Sequence, residues 1–322
     1  MANGTKKKRH LLPKLLAVAV VLGLIIVAAW YLLAGRLPDT VPSPVPEPGP
    51  GEQTSQPADC ADVSVIAIPG TWESSATDDP YNPSANPLSL MLNVTRPLQE
   101  QFEPGRASVY TVPYVAQFSN PIAFPPDGQQ SYNNSRTAGT AAAKAELTRV
   151  SEHCPLTSYI LAGFSQGAVI AGDIAAEIGA GNGPVSADKV LGVTLIADGR
   201  RDGTSGQDIG PPVDGVGAEV ALGGLDFPGV TMTGARAGGF GSLDSVVNQI
   251  CAPGDLICTA PSEGLSLRNI PQSLGILVGA AGNPVHASYN TFVVDDSGTT
   301  STQWTAQWAA GLIEQAPAIP HS

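Results

Sequence analysis

Positive charge is scarce in this sequence outside its first 36 residues. The 322 residues include 16 Lys and Arg against 28 Asp and Glu, a net charge of −12. Six of the basic residues lie in residues 1–36, so residues 37–322 have ten basic and 28 acidic side chains and a net charge of −18. Binding to the phosphate backbone of a nucleic acid needs clustered Lys and Arg. The charge distribution therefore argues against nucleic acid as a partner.

Charged residues of either sign make up only 14% of the chain, whereas 43% of its residues are hydrophobic. This balance is typical of a globular protein and excludes a mainly disordered one. The 36 Gly and 29 Pro residues show no three-residue repeat, so they indicate loops and a linker rather than a collagen-like fibre. The length fits one large domain or two small ones.

Charge is absent altogether from residues 15–34. A helix rises about 1.5 Å per residue, so twenty residues roughly match the ~30 Å hydrocarbon core of a bilayer. Five basic residues precede this segment, so the positive-inside rule predicts that residues 1–14 are cytoplasmic and that the body lies outside. A cleaved signal peptide is the alternative, but its apolar region is usually only about 7–15 residues long. We therefore predict a single-pass transmembrane signal anchor.

Residues 35–58 contain seven prolines, which favour extended polyproline conformations. We predict that they form a stalk between the membrane and a domain at residues 59–322, which faces the cell envelope. All four cysteines lie in that domain, and their even number in an oxidising compartment predicts two disulfides with three possible connectivities. The short spacing of Cys251 and Cys258 favours a local pair, which leaves Cys60 to pair with Cys154.

A structural zinc site is the alternative use of these cysteines. The sequence has no Cys-x-x-Cys pair, and its four histidines, at positions 10, 153, 286 and 321, are scattered. Zinc sites usually use closely spaced pairs of ligands. We therefore expect no bound metal.

Short apolar runs alternate with longer amphipathic stretches after the stalk, which is the pattern of a parallel sheet covered by helices. The predicted strands are Val63–Ile68, Ser108–Val112, Tyr159–Ala162 and Val190–Ala197. The predicted helices are Leu88–Phe102, interrupted near Pro97, then Arg136–Glu152, Gln166–Ile178 and Thr302–Glu314.

The segment at about residues 200–241 is dense in Gly and shows little periodicity, so we predict a long loop or lid. Arg200 and Arg201 stand at its start. We expect these two side chains either to meet an anionic head group or to form part of a solvated surface.

Residues 163–167 read Gly-Phe-Ser-Gln-Gly and fit the nucleophile elbow, a tight strand-to-helix turn with an exposed serine at its apex. The turn needs glycines on both sides of the serine because they lack a Cβ atom. A predicted strand leads into the motif and a predicted helix leaves it, as this elbow requires. Ser165 is therefore the candidate nucleophile.

A serine hydroxyl is a weak nucleophile near neutral pH, so a base must take its proton and a carboxylate must orient that base. His153 adjoins Cys154, a predicted disulfide partner, and His321 is the penultimate residue. His286 lies in a loop rich in turn-forming residues. We predict that His286 is the base.

The carboxylate should lie between Ser165 and His286, because hydrolases of this layout run Ser, Asp or Glu, and then His along the chain. Asp255 lies between Cys251 and Cys258, where a disulfide could hold the loop rigid. The competing candidates are Asp198, at the end of the fourth predicted strand, and Asp244.

With these residues, the sequence resembles the cutinase-like serine esterases, and most closely their membrane-anchored, mycobacterial-type members that act on envelope lipids. Three features carry the resemblance: the elbow at residues 163–167, the Cys-x-x-x-Asp-x-x-Cys loop at 251–258, and His286 followed three residues later by Tyr289. The resemblance covers about residues 60–316. It implies an α/β-hydrolase fold with a central parallel sheet flanked by helices.

The resemblance also implies a role for individual residues. Ser165 would be the nucleophile, His286 the base and Asp255 the acid that orients the base. The backbone N–H of Gln166, together with a donor from Thr71, would form the oxyanion hole, which stabilises the charge on the attacked carbonyl oxygen. The implied disulfides are Cys60–Cys154 and Cys251–Cys258.

We therefore predict a serine esterase that hydrolyses acyl esters or thioesters of envelope lipids through an acyl-enzyme, without a cofactor. Its partners would be a lipid acyl-ester substrate and, through residues 15–34, the membrane. Small secreted cutinases lack the anchor and stalk, so plant cutin is not the expected substrate. Two alternatives remain: an acyltransferase that uses the same triad, and a non-catalytic module that binds lipid or cell wall.

Overall fold

The computed structural model describes residues 54–120, 123–262 and 283–322. The predicted cytoplasmic segment and transmembrane anchor lie outside the described residues, as does nearly all of the predicted stalk. Within the described ranges, no helix has the length and apolar character needed to cross a bilayer.

A parallel sheet of six strands organises the described part of the chain. Its strands are β1 (Val63–Ile68), β2 (Ala107–Thr111), β3 (Ser158–Phe164), β4 (Val190–Ile196), β5 (Gln207–Ile209) and β8 (Val247–Ile250), and they stand in the order β2-β1-β3-β4-β8-β5. Strands β1, β3 and β4 are almost wholly buried, because both faces of the sheet are covered. Two further short strands, β6 (Asp226–Phe227) and β7 (Val230–Thr231), pair with each other antiparallel.

Helices cover both faces of this sheet. The α-helices are α1 (Leu92–Gln101), α2 (Tyr132–His153), α3 (Gln166–Gly179), α4 (Ala218–Ala221) and α5 (Ser301–Gln315), and there are two 3₁₀-helices, Ala187–Lys189 and Gly241–Val246. Residues of α2 and α3 pack in one apolar cluster on the sheet, and residues of α1 and α5 pack in another. The predicted central parallel sheet flanked by helices is therefore confirmed.

Most predicted elements are present, with boundaries shifted by a few residues. The expected interruption near Pro97 was wrong, because α1 begins only at Leu92 and continues through the proline. Pro97 is the sixth residue of α1, so the helix lacks the hydrogen bond that an amide there would donate to the Asn93 carbonyl, yet the helix continues to Gln101. Strands β5 and β8 were not predicted, since three or four residues give too short a pattern to recognise.

The insertion at residues 200–241 has more structure than the predicted loop. It contains β5, α4, β6 and β7, and its apolar side chains form a third cluster with Tyr132 of α2. Neither expectation for its two arginines was right. Arg200 pairs with Asp173 at 2.7 Å and Arg201 pairs with Asp208 at 2.9 Å, so both guanidinium groups serve internal ion pairs.

Candidate active site

Ser165 lies at the turn between β3 and α3, with an unusual backbone conformation of φ +55° and ψ −119°. The two flanking glycines make this turn possible. A Cβ atom on Gly163 would lie 2.3 Å from the carbonyl oxygen of Gly167, and one on Gly167 would lie 2.0 Å from the carbonyl oxygen of Ile68. Both distances are far below van der Waals contact. A larger residue at position 163 would push β3 from the first turn of α3, and one at position 167 would push that turn from the end of β1.

Replacing Gly167 by alanine is expected to lower the free energy of unfolding by about 3 kcal/mol or more, because the new methyl group would overlap backbone that cannot move aside. Urea unfolding followed by circular dichroism measures this. Gly105→Ala is the control, since a Cβ atom there meets nothing within 4 Å. A Gly167→Ala protein as stable as the control would contradict the tight elbow.

His286 connects Ser165 to Asp255 through its two ring nitrogens. Its Nε2 atom lies 2.9 Å from the Ser165 hydroxyl oxygen, and its Nδ1 atom lies 2.9 Å from the Asp255 Oδ2 atom. A carboxylate can only accept hydrogen bonds, so Nδ1 carries the proton and Nε2 accepts from the serine hydroxyl. This arrangement can remove the proton from Ser165 as the hydroxyl attacks an electrophile.

Asp255 is fully buried and is held by several neighbours. The Tyr289 hydroxyl donates to its Oδ2 atom at 2.7 Å, and the Ile257 backbone N–H donates to its Oδ1 atom at 3.0 Å. Burial raises the pKa of Tyr289, and the adjacent Asp255 charge raises it further, so the phenol keeps its proton and remains a donor. The carboxylate is therefore held in position by contacts that do not involve His286.

The loops that present the acid and the base are joined directly. A disulfide between Cys251 and Cys258 closes the Asp255 loop, and Asn283 donates from its Nδ2 atom to the carbonyl oxygen of Gly254 at 2.8 Å. The second disulfide joins Cys60 to Cys154. These are the same two pairs that the resemblance implies.

The ring of Phe164 supports the His286 imidazole. Their ring centroids are 5.1 Å apart with an angle of 23° between the planes, which is a stacked arrangement. Phe164 is the last residue of β3 and precedes Ser165 directly. The strand that carries the serine therefore also limits the orientation of the histidine.

The two predicted oxyanion-hole residues, Gln166 and Thr71, line the same cavity as Ser165. Gln166 is the first residue of α3, and no acceptor among the described residues pairs with its backbone N–H. Thr71 lies in the turn from Gly70 to Glu73 that follows β1, and the next residue, Trp72, has a positive φ of 65°. Parallel strands end at one edge of the sheet, which is why turns after β1 and β3 meet there.

A cavity of about 390 Å³ opens at Ser165. Its apolar lining comes from both the core domain and the insertion, and includes Leu90, Phe118, Phe164, Val169, Met232 and Ile257. Trp72 and Leu88 lie at the cavity and are 52% and 87% exposed. The insertion therefore forms part of the cavity wall, through Ala218, Glu219 and Met232.

A largely buried ion network attaches that wall to α3. Asp173 pairs with Arg136, with Arg200 at 2.7 Å and with Arg236 at 2.9 Å. Burial raises the pKa of the Asp173 carboxyl, but the guanidinium groups of Arg236, Arg136 and Arg200 outweigh this and hold the pKa below its ordinary value. Arg136 also pairs with Glu219 at 3.0 Å, which connects the network to the cavity wall.

The other candidate acids and bases have partners outside the Ser165, His286 and Asp255 group. Asp198 is buried in an ion pair with Arg236 at 2.6 Å, and Asp244 accepts from the Gly206 backbone N–H at 3.0 Å. His153 contacts Asp59 at 3.0 Å. Because His153 precedes β3 and Ser165 follows it, the two residues lie at opposite ends of the strand. His321 lies 3.9 Å from Asp62, which directly precedes β1 at the same end of the sheet as His153.

Within the described ranges, Cys60, His153 and Cys154 form the one group of potential metal ligands that lie close together. Both sulfur atoms are already joined in the Cys60–Cys154 disulfide. A disulfide sulfur has no thiolate to offer a metal ion. This group therefore cannot act as a zinc site while the disulfide is intact.

The sequence reasoning missed several contacts around this site. Tyr289 helped to carry the resemblance, but nothing in the sequence showed that its hydroxyl holds Asp255. Glu73, which contacts the turn that contains Thr71, stands in no motif. The bond that it accepts from the Leu90 N–H, 17 positions along the chain, follows from tertiary structure alone.

Comparison with known proteins places the chain in a family. The cutinase family model matches residues 60–267. The Carboxylesterase Culp6 homolog of Corynebacterium glutamicum is 48% identical over 280 residues, which cover 82% of this chain and 88% of that protein.

Solved structures show weaker similarity. The catalytic core domain of acetyl xylan esterase from Trichoderma reesei is 18% identical, with 80% of this chain and 100% of that chain covered and a TM-score of 0.47. A cutinase-like protein from Cryptococcus sp. is 20% identical, with 82% and 100% covered and a TM-score of 0.47. On the strength of the family model and the Corynebacterium relative, the chain belongs to the cutinase family and is a serine carboxylic ester hydrolase.

Proposed function

We propose that this protein hydrolyses acyl esters or thioesters of cell-envelope lipids, with Ser165, His286 and Asp255 as its catalytic triad. The observation that carries the proposal is the hydrogen-bonded series from Ser165 through His286 to Asp255 at the opening of an apolar cavity. An apolar cavity favours an acyl chain over a sugar or a peptide, because burying unpaired polar groups is costly.

Acylation begins when the Ser165 oxygen attacks the carbonyl carbon of the ester while His286 Nε2 takes the hydroxyl proton. Asp255 stabilises the resulting imidazolium through Nδ1. The carbonyl oxygen becomes an oxyanion that accepts hydrogen bonds from the Gln166 backbone N–H and from Thr71. Collapse of this intermediate expels the alcohol or thiol, which receives the proton from His286, and leaves an acyl group on Ser165.

Deacylation repeats these steps with water. His286 takes a proton from the water, the resulting hydroxide attacks the acyl carbon, and the Ser165 oxygen leaves with the proton that His286 returns. The products are a free carboxylic acid and the regenerated enzyme. Every proton in this scheme is moved by the chain's own side chains.

We also propose that the catalytic domain is anchored by residues 15–34 and faces the cell envelope. Support comes from the uncharged run and its basic N-terminal flank, together with two disulfides, which are typical of proteins outside the cytoplasm. Residues 35–58 would form the stalk that joins this anchor to the catalytic domain.

Labelling the full-length protein with a fluorophosphonate is expected to modify Ser165, identified by peptide mapping, because the triad makes that hydroxyl nucleophilic. Reduction of the disulfides is expected to decrease labelling, since Cys251–Cys258 holds the Asp255 loop.

A panel of p-nitrophenyl esters should show higher kcat/KM for chains of about eight or more carbons than for acetate. Activity confined to acetate, or a folded protein that does not label, would contradict the proposal. Product analysis with an added lipid alcohol would reveal an acyltransferase.

A further inference from the structure

Glu73 lies in the cavity wall but takes no part in the hydrogen bonds between Ser165, His286 and Asp255. Its two carboxylate oxygens are instead used by two backbone groups. Oε2 accepts from the Gly70 N–H at 2.9 Å, and Oε1 accepts from the Leu90 N–H at 2.6 Å. The carboxylate therefore bridges the turn after β1 and the segment that leads into α1.

That turn contains Thr71 and is under conformational strain. Trp72 has φ +65°, a left-handed conformation that is unfavourable for a bulky residue. The turn keeps this geometry through contacts to other segments: the Trp72 N–H donates to Ala116 at 2.6 Å, and Asn86 donates to the Trp72 carbonyl at 3.1 Å. Glu73 adds the bond that fixes Gly70, the residue directly before Thr71.

Gly70 also sets how closely the turn approaches the site. A Cβ atom at Gly70 would lie 2.8 Å from the Phe164 ring, so the turn packs directly on the ring that stacks against His286. A shift of this turn would move Thr71 relative to the attacked carbonyl group. Donors in an oxyanion hole act only within hydrogen-bond distance of the developing charge, so a shift below 1 Å matters.

We propose that Glu73 is a positioning residue that holds Thr71 in place to stabilise the oxyanion. This inference rests on the proposed function. Two N–H donors face one side chain, and an ionised carboxylate offers each of them a strong acceptor. A glutamine of the same shape would present an NH₂ group to one of the two donors, and protonation of the carboxyl would weaken one of the two acceptors.

The groups that face Glu73 make a pH test possible. Partial burial raises the pKa of the Glu73 carboxyl, while the bonds from Leu90 and Gly70 and the nearby His286 lower it. Tyr114 also faces Glu73, and burial raises the pKa of this phenol well above its ordinary value, so it stays neutral.

The experiment compares Glu73→Gln with the wild type in the full-length protein, using a soluble p-nitrophenyl ester. We expect kcat to fall about 10- to 100-fold at pH 8, with KM changed less than about threefold, because a misplaced oxyanion donor affects the transition state more than substrate binding. The ratio of wild-type to variant kcat should shrink as pH falls through the raised pKa of Glu73, since the wild type then also has one weakened acceptor.

Asp62→Asn is the matched control. Asp62 is a buried carboxylate that accepts from Arg106 at 2.6 Å and from the Ile319 N–H at 3.0 Å, at the opposite edge of the sheet. We expect this variant to lose thermal stability and keep its kcat. A Glu73→Gln protein that behaves in the same way would overturn the inference, because Glu73 would then be structural only.

If Glu73→Gln does not fold, Glu73→Asp provides the test. Its shorter side chain keeps the charge but cannot reach both N–H groups, so we expect kcat to fall about tenfold with little change in KM. Wild-type kcat in this variant would overturn the inference. Failure of the proposed function gives a different result, namely ester turnover that persists in Ser165→Ala.

Discussion

Replacing Ser165 by alanine is expected to lower kcat for ester hydrolysis at least about 10⁴-fold, to the background of the assay. The variant loses the atom that forms the acyl-enzyme, and no other hydroxyl group of the described residues lies within hydrogen-bond distance of His286 Nε2. Burst kinetics with a p-nitrophenyl ester would measure both the turnover and the amplitude of acylation. Turnover comparable to that of the wild type would refute Ser165 as the nucleophile.

Two further variants, Ser242→Ala and Ser165→Gly, distinguish loss of catalytic activity from loss of the folded structure. Ser242→Ala removes an exposed hydroxyl that donates to the Gly179 carbonyl, and we expect it to retain full activity. Ser165→Gly should be as inactive as Ser165→Ala but melt at a higher temperature, because glycine adopts φ +55° without a Cβ penalty. A lower Tm for Ser165→Gly than for Ser165→Ala would argue against strain at the elbow.

Asp255→Asn is expected to reduce kcat about 10³- to 10⁴-fold while KM changes little. The amide can turn its NH₂ group toward His286 Nδ1, which would move the ring proton to Nε2. Nε2 could then no longer accept the proton of Ser165. The Tyr289 hydroxyl, which donates to the same Oδ2 atom, favours an acceptor there and limits how well the amide can fit. Steady-state kinetics and thermal unfolding of the variant measure both effects.

The control for this variant is Asp244→Asn, which changes an exposed aspartate that accepts from Gly206. It should keep its activity. Asp198→Asn addresses the other competing acid: breaking its buried pair with Arg236 should lower stability with a much smaller change in kcat than Asp255→Asn. If Asp198→Asn lost activity as severely as Asp255→Asn while remaining folded, the assignment of the acid would be wrong.

The sequence alone determined the elements and the chemistry that local patterns record. Continuous apolar runs marked β1 and β4, because buried parallel strands are apolar on both faces. The glycines around Ser165 marked the elbow, because only residues without a Cβ atom fit that turn. The cysteines around Asp255 distinguished one acid from the 28 acidic residues in the chain.

The tertiary structure decided everything that depends on residues distant in sequence. It placed His286 within 2.9 Å of Ser165 across 121 positions, gave Tyr289 its contact to Asp255, and put Arg200 and Arg201 into ion pairs. It also packed the Gly-rich insertion into a cavity wall and brought Glu73 to Leu90. Such contacts leave no periodicity in the sequence, because they arise when separate strands end at one edge of a sheet and bring their loops together.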